Sequence, residues 1–296
     1  MHRDRVAPLT VLDPAALRDW IGRTERRVDR VTAAPLAALS ATLDRDDPEP
    51  RAGTALPPPW HWLFFTPLTP QHDIGPDGHA RKGDFLPPVP LPRRMWAGSR
   101  IAFDHPLTVG DEIVRTSRIA DVVVKEGRSG TLVFVTVEHQ IADPTGIAIR
   151  EAHDIVYRDL PSGVAKSPQL PSEPPLAPTN ETYKRTIVPD PVLLFRYSAL
   201  TFNSHRIHYD RSYVTGVEGY PGLVVHGPLI ATLLLDNLRR YVWNANVRRF
   251  EFKALHPLFD VEPFEVCGRE VSAHLHALWA RDARGALAMQ ATVELG

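Results

Sequence analysis

The stretch from Pro228 to about Val242 constrains the fold more than any other. Leu229, Ile230, Leu233, Leu234, Leu235, Leu238, Tyr241 and Val242 spread over most of a helix circumference, which suits a helix wrapped in protein rather than one lying on a surface. Strand-like segments follow near residues 246–254, 262–275 and 285–295. An antiparallel sheet curled round one buried helix is therefore expected in this part of the chain.

The first half carries a similar order. Residues 112–124 and 131–141 read as strands. In the second, Leu132, Phe134, Thr136 and Glu138 alternate with Val133, Val135 and Val137. Lys125-Glu126-Gly127-Arg128-Ser129-Gly130 supplies a hairpin turn, and Asp143-Pro144-Thr145-Gly146 turns the chain into a third strand ending near Tyr157. His105-Pro106-Leu107, which opens this meander, recurs as His256-Pro257-Leu258 before the second, so the chain reads as a duplication. The expected class is α+β, a double hot dog: two antiparallel sheets, each wrapped round a central helix.

Residues 14–43 read as helical, with Asp13 as cap, Pro14 at the first helical position, and Leu17, Ile21, Val28 and Val31 at roughly helical spacing. The interspersed Arg23, Glu25, Arg26, Arg27, Asp29 and Arg30 read as a solvated face. The aromatic run Trp60-His61-Trp62-Leu63-Phe64-Phe65 demands burial, in the core or along a ligand pocket. Residues 71–92 are rich in Gly and Pro and read as loop. Proline, at 29 of 296 residues, is roughly twice its usual share of about 5%, and it is dense at 161–182, read as a stiff linker. The division is a degenerate hot dog at 1–160, the linker, and a catalytic hot dog at 183–296.

With 34 basic and 35 acidic side chains the net charge is −1, so no global field attracts nucleic acid, although a local Arg cluster can still hold a small anion. The single Cys267 forms no internal disulfide. The first ten residues lack an apolar h-region and no stretch approaches about 18 apolar residues, so neither a leader nor a membrane span is expected and the protein reads as cytoplasmic.

The residues that can carry chemistry cluster in Phe202-Asn203-Ser204-His205-Arg206-Ile207-His208-Tyr209-Asp210 and in Val225-His226-Gly227-Pro228. Three readings compete. Asn203, Ser204 and Asp210 serve as turn and cap residues; or His205, His208, Asp210 and His226 ligate zinc, at loose spacing; or His208 transfers a proton, Asn203 orients water, and the Gly227 N–H at a helix start stabilises negative charge on a carbonyl oxygen.

Ile207-His208-Tyr209-Asp210 followed by His226-Gly227 resembles the MaoC-like (R)-specific enoyl-thioester hydratases, whose motif runs approximately G-D-x-N-P-I-H-x-D with a His-Gly some twenty residues later. Asn203 stands at the place of that family's catalytic Asp, His205 at its Asn and Arg206 at its Pro. Asn cannot be a general base, so the proton burden shifts to His208. The longer variant, with residues 57–65 and 85–98, is similar to a narrower group, the mesaconyl-C4-CoA (3-methylfumaryl-CoA) hydratases and type 2 hydroxyacyl-thioester dehydratases.

The resemblance implies a hydro-lyase adding water to the C2=C3 bond of an enoyl-CoA, most specifically mesaconyl-C4-CoA to citramalyl-CoA, with no metal and no cofactor. It implies catalytic roles for His208, Asn203 and Gly227, a substrate-binding role for His226, and an arginine on a second carboxylate, for which Arg93, Arg94 and Arg206 are candidates. A homodimer is one assembly open to it. Two other functions stand beside this one: a dehydratase of straight-chain 3-hydroxyacyl thioesters, and a non-catalytic acyl-CoA binding protein.

Overall fold

The computed structural model describes residues 12–127, 130–158 and 174–296. The N-terminal segment 1–10, turn residues 128–129 and most of the 161–182 linker lie outside them. Asp13 caps α1 (Pro14–Arg18), its carboxylate accepting from the N–H of Ala15 at 2.9 Å and of Ala16 at 3.3 Å. The helical reading of 14–43 then breaks down, because Thr24–Arg30 is a strand, β1. Arg27 donates from Nε to Glu25 at 2.9 Å; two residues apart is a same-face spacing on a strand and not on a helix. The charges taken for a solvated helix face are those of an edge strand, where charge discourages pairing with other chains. Helix α2 (Ala33–Thr42) resumes the expected helix.

Four strands follow in the first half: β2 (Arg93–Phe103), β3 (Glu112–Gly127), β4 (Gly130–Asp143) and β5 (Gly146–Arg158). On β4, Val133, Val135 and Val137 are buried while their neighbours are partly exposed, as the alternation requires. The second half begins with β6 (Tyr183–Ile187), continues through α3 (Pro191–Leu200), α4 (Arg211–Gly216) and α5 (Gly227–Tyr241), and closes with β7 (Val247–Ala254), β8 (Phe264–Ser272), β9 (Leu275–Arg281) and β10 (Leu287–Leu295). Strands β1, β2, β6 and β9 are the four that the hydropathy pattern does not single out.

All ten strands form one antiparallel sheet in the order β1-β3-β4-β5-β2-β7-β10-β9-β8-β6. Read inward from the two edges, each strand of the second half is the one five places later in the chain than its counterpart, so the duplication is visible in the topology. The two His-Pro-Leu segments precede β3 and β8, the same place in each half. The halves fuse where β2 pairs with β7, from Gly98 opposite Lys253 to Ala102 opposite Arg249. A Cβ on Gly98 would lie 2.4 Å from the Phe252 carbonyl oxygen, so this seam requires glycine.

Helix α5 is buried continuously from Leu229 to Leu238, as its all-round apolar pattern demands. The one charge in that stretch, Asp236, is satisfied by three arginines: Arg45 at 2.7 Å, Arg185 at 2.7 Å and Arg240 at 3.0 Å. By order in the chain, α2 corresponds to α3, and among the described residues of the first half α5 has no helical counterpart. The expectation of a central helix in each half is thus met only in the second. Between α2 and β2 the aromatic run turns through a 3₁₀ helix, Trp60–Leu63, with Trp60, Leu63, Phe64 and Phe65 buried. A single core joins these aromatics, α2, α5 and strand residues from both halves such as Ile113, Ile141, Phe250 and Val266. No helix among the described residues is long and apolar enough to cross a membrane.

Glu151 pins the aromatic turn to the sheet. Its carboxylate accepts from His61 Nε2 at 2.9 Å, Trp62 Nε1 at 3.1 Å and Ser99 Oγ at 2.8 Å, and His153 Nε2 lies 2.7 Å away. Burial pushes its pKa up, but His153 and His61 outweigh that and hold it well below the carboxylate range. A carboxyl depressed by folding contributes fully above its unfolded pKa of about 4.3 and loses that contribution as pH falls toward the folded value. Glu151→Ala is expected to cost on the order of 3 kcal/mol at pH 7 and to flatten the decline of stability below about pH 4, measured by denaturant titration across pH.

Candidate active site

The site is assembled at the N-terminus of α5. The segment leading into that helix is fixed by backbone bonds, Val224 N–H to the Ile207 carbonyl at 2.9 Å and Val225 N–H to the Leu258 carbonyl at 2.8 Å. The first of these docks the 3₁₀ turn Arg206–His208 beside the helix start. His208 is buried, and its Nδ1 lies 2.7 Å from the Val224 carbonyl. A carbonyl only accepts, so Nδ1 carries the proton and Nε2 is the ring's free acceptor. Burial pushes the imidazole pKa down to about 4, against the opposing effect of the Val224 bond. At neutral pH His208 is therefore an uncharged base.

His226 caps this arrangement from behind. It is fully buried at the N-cap of α5, stacks on His208 with ring centroids 3.7 Å apart and planes 17° apart, and shares a 2.8 Å hydrogen bond between its Nε2 and Ser198 Oγ on α3. Burial and the neighbouring His208 drive its pKa well down. Gly227 is the first residue of α5, where an N–H has no intrahelical acceptor and lies at the positive end of the helix.

The other expected residues are held differently. Asn203 Oδ1 accepts from the His205 N–H at 3.0 Å, closing a tight turn. Arg206 donates from Nε and Nη2 to Asp210 Oδ2, at 3.0 and 2.7 Å, and from Nη1 to the Pro76 carbonyl at 3.0 Å, while its guanidinium covers the Tyr213 ring at 4.1 Å. Its fork is committed to the protein, so the expectation that Arg206 meets the substrate has no support in its geometry. Asp210 also caps α4 by accepting from Tyr213 N–H at 3.0 Å. Nor do His205, His208, Asp210 and His226 converge as zinc ligands: among the described residues the one group whose ligand atoms all lie within 4.8 Å of one another is Asp77, His79 and His205.

That group exposes what the sequence reading missed. The loop around Asp77-Gly78-His79, from the first half, sits directly on the turn of the second that carries Ser204, His205 and Arg206. Arg206 N–H donates to the Asp77 carbonyl at 2.9 Å, and Ser204 Oγ to the Gly78 carbonyl at 2.6 Å. His79 Nδ1 lies 3.1 Å from Asp77 Oδ2, and the His79 ring packs on His205 with centroids 3.9 Å apart. His205 in turn meets His208 edge to face at 5.3 Å. Burial pushes His205 down to about 2, helped by His79 and His208. Burial also lowers His79, with Arg94 adding to it and Asp77 opposing. Asp77 is raised by burial but held well below the carboxylate range by His79.

Arg93, on β2, reaches the second half too. Its Nη2 donates to the Glu218 carbonyl at 3.0 Å and lies 3.3 Å from the Glu218 carboxylate, with the guanidinium 5.2 Å from the Tyr220 ring centre. Its Nε and Nη1 are buried without a hydrogen-bond partner. The charge of Arg94 bears on His79, Lys82 and Tyr157.

Residues 59–260 match the family model described as hydroxyacyl-thioester dehydratase type 2. The chain is 48% identical over 277 residues to a mesaconyl-C(4)-CoA hydratase of Chloroflexus aurantiacus, covering 94% of this chain and 97% of that one. Among solved structures, a MaoC-like dehydratase from Phytophthora capsici superposes with a TM-score of 0.67 at 14% identity, covering 96% of this chain and 98% of that one. A Mycobacterium tuberculosis protein described as having a double hotdog fold gives 0.56 at 12%, covering 93% and 96%. The fold is a double hot dog.

The docking of the first-half loop has a direct steric test. Gly78 has φ +90° and a Cβ built on it would lie 1.8 Å from the Ser204 carbonyl oxygen, whereas Gly53, with φ +82°, has nothing within 4 Å. Both Gly→Ala changes incur similar backbone strain, so Gly78→Ala should be the more destabilising, by on the order of 1–3 kcal/mol. Thermal denaturation of the two variants side by side measures the difference.

Proposed function

Since the chain belongs to the hydroxyacyl-thioester dehydratase type 2 family, we propose that it reversibly hydrates the C2=C3 bond of an enoyl-CoA, with mesaconyl-C4-CoA as substrate and citramalyl-CoA as product. The observation that carries this reading is the buried, neutral His208 with Nδ1–H held by the Val224 carbonyl and Nε2 left as acceptor, beside the first N–H of α5. In the hydration direction a water proton passes to Nε2 as the water oxygen bonds to C3. The π pair moves through C2 onto the thioester oxygen, where the Gly227 N–H receives the charge. The enolate then collapses, and C2 takes the proton back from His208. Water is added and the imidazole is restored.

His226, fully buried at the N-cap of α5, supports substrate binding indirectly, as the ring that holds the His208 plane. For the free carboxylate of a dicarboxylic acyl chain we assign Arg93, whose Nε and Nη1 are buried and unpartnered while Nη2 is held by Glu218; a carboxylate there supplies charge-assisted acceptors for the two N–H groups that lack one. The division of labour follows the two halves: residues 183–296 carry His208 and α5, while 1–160 supply Arg93 and complete the sheet.

Steady-state hydration of mesaconyl-C4-CoA and crotonyl-CoA tests the reading. The wild type should turn over mesaconyl-C4-CoA with the higher kcat/KM. His208→Ala should lose about 10²–10⁴ in kcat while keeping its melting temperature and its affinity for a saturated acyl-CoA. Because His208 acts as the neutral ring, kcat/KM should decline only as pH falls toward about 4. Arg93→Met should lower kcat/KM on the order of a hundredfold for mesaconyl-C4-CoA and far less for crotonyl-CoA. A His208→Ala enzyme with wild-type kcat contradicts the mechanism, and equal losses on both substrates contradict the role of Arg93.

A further inference from the structure

Hydration needs a second acceptor at the water. A single base takes one proton, but the oxygen lone pair must also be aimed at C3, which calls for a second hydrogen bond from water to the protein. The position at which the hydratase motif carries a carboxylate is Asn203 here, and its side-chain oxygen is engaged by the His205 N–H at 3.0 Å. A carboxylate–imidazole couple reaches this turn from the other half of the chain. His79 Nδ1 lies 3.1 Å from Asp77 Oδ2, and because an ionised carboxylate only accepts, the proton sits on Nδ1 and Nε2 is left as an acceptor. His79 packs on His205 at 3.9 Å between ring centroids, and His205 meets His208 edge to face at 5.3 Å, so the His79 ring stands within one imidazole of His208.

We propose that Asp77 and His79 supply this second acceptor: His79 Nε2 receives the other O–H of the water whose proton passes to His208, and Asp77 fixes the His79 tautomer and ring plane. His79 takes no proton in the step, so the reaction balances as before, with His208 accepting from water and returning to C2. The couple is built to stay in place. The Asp77 carbonyl is tied to Arg206 N–H, the Gly78 carbonyl to Ser204 Oγ, and Asp77 Oδ1 caps the His79 N–H at 3.0 Å. The charged groups bearing on His79 are Asp77 and Lys82 from its own loop and Arg94 from β2. The two cations oppose its protonation, which keeps the ring an acceptor. This rests on the hydratase reading of the site, and it makes the first half a contributor to the chemistry rather than to the fold alone.

The experiment compares His79→Ala, His79→Gln, Asp77→Ala and Asp77→Asn in the full chain, reading kcat for mesaconyl-C4-CoA, the Kd of butyryl-CoA, which has no C2=C3 bond, and Tm. His79→Ala should lose on the order of a hundredfold in kcat with the Kd unchanged. His79→Gln, whose amide oxygen can accept in a similar place, should stay within tenfold of wild type, and Asp77→Asn should retain more kcat than Asp77→Ala. Wild-type kcat in His79→Ala overturns the inference while leaving the hydratase reading intact. Equal losses in His79→Gln and His79→Ala, or a Kd and Tm that worsen in step with kcat, overturn it in favour of packing alone. Loss of wild-type activity on chelation overturns it by placing a cation on Asp77, His79 and His205. A wild type that hydrates no enoyl-CoA removes the hydratase reading and this inference with it.

Discussion

The hydrogen bond from His208 Nδ1–H to the Val224 carbonyl sets the chemistry of the site, because it is made where water cannot replace it. In a buried place a protonated imidazole is poorly solvated, and burial is the largest influence on His208. The ring stays neutral, its tautomer is fixed by an acceptor that can only accept, and Nε2 is left as the one basic atom. The rest of the local structure maintains that bond. The Val224–Ile207 backbone bond holds the two segments in register, the His226 ring fills the space behind, and α5 is buried on all sides so that its N-terminus cannot shift.

The duplication explains how such a site is afforded by two unequal halves. Each half has five strands in the same relative order, fused through β2 and β7. Only the second keeps a long central helix. In the first, the chain between α2 and β2 is released from that role. One part of it, the aromatic turn, is pinned to the sheet by Glu151, and another, the loop carrying Asp77 and His79, crosses to the 203–208 turn of the other half. The half without a long central helix thus contributes a loop that packs on the 203–208 turn of the other.

Much of this is legible in the sequence wherever the signal is local. The all-round apolar pattern of residues 229–242 requires a buried helix with His226-Gly227 at its start, and the resemblance to the hydratase motif ties Ile207-His208-Tyr209-Asp210 to that start, where the Val224–Ile207 bond holds it. Strand β1 was hidden because its face is charged: Glu25, Arg27 and Asp29 alternate, but the scattered Leu17, Ile21, Val28 and Val31 mimic a helix. The Asp77–His79 couple was hidden for another reason. It meets Ser204 across a separation of 126 residues, and no periodicity encodes a contact made by a loop. Arg206 shows the converse error, since its nearness to His208 in sequence suggested a substrate contact while its side chain turns to Asp210.

If the site is shared between the halves, the loop and the catalytic turn must act as a unit, and a double-mutant cycle on kcat measures that directly. With His79→Ala, His208→Ala and the double variant, the account predicts strong non-additivity: the double variant should be about as slow as His208→Ala alone, because without the base the aimed water has nothing to give its proton to. Losses that simply multiply would show that His79 and His208 act independently, and would contradict a water held between them.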